Sequence, residues 1–228
     1  MNYDGPSNLR ALLFDHDGTL VDSEVVHYKF WAEVLAGLQQ PFTEDDYRLH
    51  YVGVSELRTA EDIRRRFAIT ATVAELVAQK RAIAQRFHLQ SHYPMMPGVA
   101  ETLAWLADRS LHQAVVSGSA RFALEANLRA LGVLHQFTCV VSGEEVPNNK
   151  PAPDVYLSAV DQLRMTPDHC LALEDTRAGL LAAKAAGIFT CVIPNRYSVH
   201  HDFSEADRHF ASMTAFLNWL KTCPTFTA

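Results

Sequence analysis

LLFDHDGTLVD, residues 12–22, is an apolar run that ends in two carboxylates one residue apart, Asp15 and Asp17, followed at once by Gly18 and Thr19. Apolar residues stopping abruptly at turn formers describe a strand that runs into a loop. Side chains alternate along a strand, but a turn beginning at Asp15 lets both acids face one pocket. That pocket would lie at the carboxyl end of a sheet, where open α/β folds bind their ligands. Two carboxylates so close repel each other, and a dication between them lets both stay ionised near neutral pH. The first expectation is therefore a magnesium site.

Beyond Asp22 the pattern changes. Residues 23–38 set Val26, Phe30, Val34 and Leu38 at helical spacing, with Ser23 as the candidate N-cap. Further helices are expected over 44–51, 56–67 and 72–89, with no strand among them. Pro94 and Pro97-Gly98 then punctuate the chain, and a helix is expected over 99–108. From there strands (113–116, 139–141, 170–173, 189–193) alternate with helices (121–131, 153–163, 178–186), and a short strand at 207–211 and a helix at 213–220 close the chain. Such alternation predicts a mostly parallel sheet with helices on both faces, the helices supplying the long crossovers that parallel strands need. The expected fold class is α/β. A Rossmann-like three-layer core comprises residues 1–22 and 94–228, and an all-helical domain is inserted at 23–93.

A chain of 228 residues, 48% hydrophobic, is long enough for such a core. Its formal net charge of -6 argues against a general nucleic-acid binder, which presents a basic face. Cys139, Cys170, Cys191 and Cys223 form no Cys-x-x-Cys pair, and the first three lie in apolar strand-like stretches, which fits a reducing compartment. Residues 1–10 lack an apolar signal core and no apolar run approaches a membrane span. The expectation is a cytoplasmic protein with neither nucleic acid nor membrane as partner.

Three more strand ends carry chemistry. Val115-Val116-Ser117-Gly118-Ser119 is a strand ending in small hydroxyl residues before a helix, whose N-terminal N–H groups suit a phosphate oxygen. In Asn149-Lys150-Pro151-Ala152-Pro153-Asp154 two prolines follow a lysine and hold its backbone, so Lys150 is expected to point inward. Leu171-Ala172-Leu173-Glu174-Asp175-Thr176 is again an apolar strand ending in paired acids. The helix after it is rich in Ala and Gly, which allows close approach to the sheet, and Gly187 is placed to end it.

Taken in order, Asp15-His16-Asp17-Gly18-Thr19, Ser117, Lys150 and Glu174-Asp175-Thr176 resemble the four motifs of the haloacid dehalogenase superfamily, over nearly the whole core. The helical insert sits where that superfamily carries its C1 cap, as in phosphoglycolate phosphatase and β-phosphoglucomutase-like members. The resemblance implies an Mg2+-dependent phosphatase acting on a small-molecule phosphate ester through an aspartyl-phosphate. Asp15 would be the nucleophile and Asp17 the proton donor and acceptor. Ser117, Gly118, Lys150 and His27 would bind the substrate and its phosphate. Asp15, Asp17 through its backbone carbonyl, Asp175 and Glu174 would serve the metal, Glu174 by way of water. His16 departs from the usual apolar residue between the two aspartates and is assigned no role. Cap residues expected near the substrate are Glu24, His27, Trp31, Tyr51 and Arg58 with the Gly53-Val54-Ser55 turn, although packing inside the cap is the better reading of Trp31 and Tyr51.

The rival readings are a β-phosphoglucomutase-like mutase and a non-catalytic phosphate- or metal-binding protein. The mutase pattern flanks Gly-Val-Ser with a lysine and an arginine that seat a second phosphate, and here those positions are Val52 and Glu56. Losing two cations and gaining an anion favours the phosphatase. A metal-free dehalogenase is disfavoured by Asp17 and Asp175. Sugar phosphates and 2-phosphoglycolate are both open as substrates, and a monomer or homodimer is equally compatible with the sequence.

Overall fold

The computed structural model describes residues 3–227. Strand β1 (Ala11–Phe14) is buried along its whole length, as a continuous apolar run in the middle of a parallel sheet must be. Four helices follow before any further strand: α1 (Glu24–Gly37), α2 (Glu44–His50), α3 (Glu56–Arg66) and α4 (Val73–Gln90). The chain then runs through α5 (Val99–Ala107), β2 (His112–Ser117), α6 (Arg121–Ala130), β3 (Cys139–Ser142), α7 (Asp154–Gln162) and β4 (Cys170–Glu174). It ends with α8 (Arg177–Ala185), β5 (Phe189–Val192), β6 (Arg208–His209) and α9 (Met213–Leu220), after which a last turn spans Pro224–Thr227.

The strands form one sheet in the order β3-β2-β1-β4-β5-β6, and each of its pairings is parallel. The chain builds outward from β1 through β2 and β3, then returns to lay β4 on the other side of β1. Strand order therefore reverses between β1 and β4, and a crevice opens there above the carboxyl ends. Leu13 is in register with Ala114 and Ala172, so the residues just past β1, β2 and β4 reach the crevice at one height.

Alternation along β1 divides the core. Leu12 and Phe14 face a cluster with Leu103, Leu124 and Phe216 on one side of the sheet. Ala11 and Leu13 face Val155, Ala159, Ala182 and Ala183 on the other. Helices α1–α4 bury a cluster of their own, including Trp31, Leu35, Tyr47, Ile63 and Leu76. Thr43 and Thr72 start α2 and α4 with reciprocal capping boxes to Asp46 and Glu75.

Two local expectations differ from the structure. Ser23 occupies the N-cap position of α1 but makes no capping hydrogen bond with its side chain, because its hydroxyl is engaged by Asp17 instead. The strand expected at 207–211 is only two residues long, and Phe210 leaves the sheet edge to enter the core beside Phe216 and Trp219.

Leu13 is fully buried in the central strand, so Leu13→Ala is expected to lower unfolding free energy by about 2–5 kcal/mol. Urea denaturation followed by circular dichroism measures this, and a change below about 1 kcal/mol contradicts the central position of β1.

Candidate active site

Past Phe14 the backbone stays in the sheet for one more bond, Asp15 N donating to Leu173 O at 3.0 Å, and then turns. Leu20 and Val21 N–H groups both donate to His16 O, which folds residues 16–21 into a compact loop. Gly18 carries that turn with φ of +79°, and a Cβ there would lie 2.2 Å from Asp175 Oδ2. Both the backbone angle and the close approach require glycine.

The turn separates the two aspartates into different surroundings. Asp15 Oδ1 accepts from Lys150 Nζ at 2.6 Å. Asp17 Oδ1 accepts from Ser23 Oγ at 2.7 Å and His27 Nε2 at 3.0 Å, while its Oδ2 accepts from Ser119 Oγ at 2.7 Å and Ser117 Oγ at 3.4 Å. His16 Nδ1 lies 3.3 Å from Asp17 Oδ1, although neither ring nitrogen of His16 has a hydrogen-bond partner. Burial alone would raise the Asp17 pKa, but the two imidazoles outweigh it and hold the carboxyl well below its usual range. Asp15 is driven the other way. Burial pushes it well above the carboxylate range, and Glu174 and Asp17 add to the rise that Lys150 opposes.

Lys150 Nζ spends its three protons on Asp15 Oδ1 (2.6 Å), Glu174 Oε1 (2.6 Å) and Val116 O (2.9 Å). These partners outweigh the burial that would lower its pKa, so the ammonium is held above its ordinary value. The backbone behind it is fixed by Asn149, whose amide donates to Gly118 O at 2.9 Å and whose Oδ1 accepts from Lys150 N at 2.7 Å. Glu174 Oε1 also accepts from Tyr156 OH at 2.6 Å, whereas Glu174 Oε2 is buried without a partner. Asp175 Oδ2 accepts from Asn195 Nδ2 at 2.7 Å, and Thr19 Oγ1 approaches Oδ1 at 3.5 Å.

Asp15, Glu174 and Asp175 each offer an oxygen within 4.8 Å of the others. One lysine does not balance three buried carboxylates. Burial first, and then Asp15 and Glu174, push Asp175 well above its usual pKa. An all-oxygen donor set, excess negative charge and an orphaned carboxylate oxygen fit a hard dication such as Mg2+. Asp17 stands apart from this set, its side chain being engaged by hydroxyls and imidazoles.

Above the centre lies a cavity of about 670 Å³ between the sheet and the four helices. Asp15, Asp17, Ser117, Gly118 and Lys150 line its floor, and His27, Glu24, Trp31 and Arg58 line its helical side with the Gly53-Val54-Ser55 turn. Of the residues expected there, Tyr51 is absent from the lining. It is packed in the helical cluster with its hydroxyl on Asp62, so the packing reading holds. Trp31 does both, since it is buried in that cluster and also meets the cavity.

Glu56 does not present a bare negative charge. Lys80 Nζ lies 3.1 Å from its Oε1 and Arg81 Nε 2.7 Å from its Oε2, and both cations line the cavity. The residues that sequence reasoning missed are Ser23, Ser119, Asn149, Tyr156 and Asn195. Ser119 and Asn149 lie inside the quoted motifs and could have been found there. Ser23 read as a helix cap, while Tyr156 and Asn195 carry no local signal.

The family model for haloacid dehalogenase-like hydrolases matches residues 12–193, a span that includes all four strand ends. The chain belongs to this family. Protein CbbY of Rhodobacter capsulatus is 35% identical to this hydrolase over 91% of its chain and 95% of the relative. Fructose-1-phosphate phosphatase YqaB of Escherichia coli is 34% identical, covering 78% of this chain and 93% of that protein. Among solved structures, a mutant of CbbY from Rhodobacter sphaeroides in complex with xylulose-1,5-bisphosphate superposes with a TM-score of 0.76 at 30% identity, covering 90% of this chain and 95% of that one. With relatives named as phosphatases in the same family, the chain is a hydrolase of the phosphatase kind.

Asp15 and Asp175 hold protons more tightly in the folded than in the unfolded state. The metal-free fold therefore loses stability as pH rises from the ordinary carboxylate range toward their raised values. A dication competes with those protons, so the rise in Tm on adding Mg2+ is expected to be larger at about pH 7.5 than at about pH 5. Thermal melts with Mg2+ and with EDTA measure it, and an equal rise at both pH values contradicts the acidic centre as the binding site.

Proposed function

We propose that this hydrolase releases phosphate from small phosphorylated sugars. The observation that carries the reading is the cavity, which sets Asp15, Ser117 and Lys150 on its floor opposite a helical wall of polar and charged side chains. Its floor offers a nucleophile, a hydroxyl and an ammonium group for the phosphoryl end. Its helical wall offers Glu24 and His27 for hydroxyls and Arg58 for a further anionic group, Lys80 and Arg81 being paired with Glu56 and Glu144. Lys80 and Arg81 offset the negative charge of Glu56 on that wall.

In this mechanism Asp15 attacks phosphorus as the P–O bond to the sugar breaks, giving an aspartyl-phosphate, which water then hydrolyses. Lys150 offsets charge on Asp15 and on the transferring group, and Ser117 holds a phosphate oxygen. Asp17, ionised at rest, is ready as the base that takes the proton of the attacking water. To protonate the leaving oxygen it must first receive a proton, and its carboxylate is held in place for that exchange by Ser23, Ser119 and His27. Asp15, Asp175 and Glu174 would hold Mg2+, with the backbone of Asp17 assisting; the ion would neutralise charge on the nucleophile and on the phosphoryl oxygens. Helices α1–α4, residues 23–93, serve as a cap that excludes water while the phosphoryl group is in transit.

Phosphate release with Mg2+ is to be measured on fructose 1-phosphate, xylulose 1,5-bisphosphate, β-glucose 1-phosphate and 2-phosphoglycolate. Release concentrated on a sugar phosphate and abolished by EDTA is the expected outcome. Conversion of β-glucose 1-phosphate to glucose 6-phosphate without release would instead identify a mutase. Asp15→Asn is expected to remove turnover while leaving the circular dichroism spectrum unchanged, and substantial residual turnover rules out Asp15 as nucleophile. Asp175→Ala is expected to raise the Mg2+ concentration needed for half-maximal activity by at least about tenfold, and an unchanged titration contradicts its assignment.

A further inference from the structure

After β5 the chain makes a turn that touches both the acidic centre and the four helices. Asn195 Nδ2 donates to Asp175 Oδ2 at 2.7 Å and to Gly18 O at 3.2 Å, so one amide ties the second acid pair to the loop that carries Asp15 and Asp17. The turn itself is closed by hydrogen bonds. Asn195 Oδ1 accepts from Tyr197 N at 2.8 Å, Asn195 N donates to Ser198 Oγ at 3.1 Å, and Ser198 and Val199 N–H groups donate to Asn195 O.

Tyr197 leaves this turn in the opposite direction. It is 2% exposed and belongs to the hydrophobic cluster of the helices, among Trp31, Leu35 and Ile63. Its hydroxyl donates to Glu44 Oε1 on α2 at 2.5 Å, and the Arg196 guanidinium lies over its ring at 4.7 Å. A second point of contact lies alongside, where a Cβ on Gly53 would sit 3.0 Å from the side chain of Thr176, the residue after Asp175. Neither Asn195 nor Tyr197 lines the cavity.

We propose that Asn195 and Tyr197 link the helical cap to the acidic centre, so that seating of the cap sets the position of the Asp175 carboxylate and thereby the affinity for metal. The inference rests on reading that centre as the metal site of a phosphatase. A tyrosine held by an apolar cluster, a carboxylate and a stacked guanidinium cannot stay in place if the helices move away. Its displacement passes through one hydrogen bond and two residues of backbone to the amide on Asp175. Both are positioning residues, acting through Asp175 and not on the substrate.

The test is Mn2+ binding to the full chain without substrate, read by electron paramagnetic resonance of the free ion. Asn195→Ala and Tyr197→Ala are each expected to weaken binding about tenfold. Tyr197→Phe, which keeps the ring in the cluster, is expected to restore most of the loss. The Asn195→Ala/Tyr197→Ala double variant should bind no more weakly than Asn195→Ala alone, because both changes cut the same link. Wild-type affinity in Tyr197→Ala, or additive losses in the double variant, overturns the proposal. If Tyr197→Ala does not fold, Tyr197→Leu decides on the same criterion, since it keeps apolar volume and loses the hydroxyl and the stacking surface. A wild-type chain that binds no Mn2+ overturns the metal reading and the link together. Mn2+ binding without hydrolysis of any phosphate ester sinks the functional reading, while the relative affinities of the variants still support or overturn the link.

Discussion

A single ammonium group holds the centre of this molecule together. Lys150 donates to Asp15, to Glu174 and to the carbonyl of Val116, and so joins the ends of β1, β4 and β2 at one point. Buried carboxylates without a counter-charge are costly, and the arrangement is stable only because a cation with three donors sits where three strand ends converge. Parallel register is what makes them converge. Leu13, Ala114 and Ala172 lie side by side, so the residues beyond them arrive at the same height.

The compensation is deliberately incomplete in physical terms. Lysine covers Asp15 and one oxygen of Glu174, while Asp175 has only neutral donors and the other Glu174 oxygen has none. That remainder is a demand for positive charge that a dication would meet. Close packing makes the demand specific, since Gly18 and Gly179 both lie where a Cβ would collide with these acids. Asp17, two residues from Asp15, escapes the same field because hydroxyls and imidazoles surround it. Two carboxylates on one loop thereby acquire opposite proton affinities, and a cation beside Asp15 would be needed to keep it ionised.

The helices between β1 and α5 complete the site without taking part in the sheet. Their first residues reach Asp17 through Ser23 and His27, and α3 and α4 furnish the charged wall opposite Asp15. Arg81 also spans the cavity mouth, pairing with Glu56 on its own side and with Glu144 at 2.8 Å on the sheet side. These helices and the sheet thus meet through ion pairs and a buried tyrosine, in addition to the chain connections.

The fold was legible because its information is local and periodic. Apolar strands separated by helices of crossover length admit few arrangements, and the acids, Ser117 and Lys150 stand at strand ends that any parallel sheet brings to one edge. The side chains gathered at that edge could accordingly be named from the chain alone, as could the four helices after β1 and the cavity-lining His27. Residue spacing does not report what a side chain meets across the molecule. Ser23 looked like a helix cap and became a partner of Asp17. Glu56 looked like an uncompensated anion and is paired with Lys80 and Arg81, and Tyr156 and Asn195 gained their roles only by lying against Glu174 and Asp175. Sequence by itself determined the order of strands and helices and which acids, hydroxyls and lysine stand at which strand ends. Tertiary structure alone decided how the charges are shared, because burial and contacts between residues far apart in the chain set each proton affinity, and neither exists before the sheet and the helices pack.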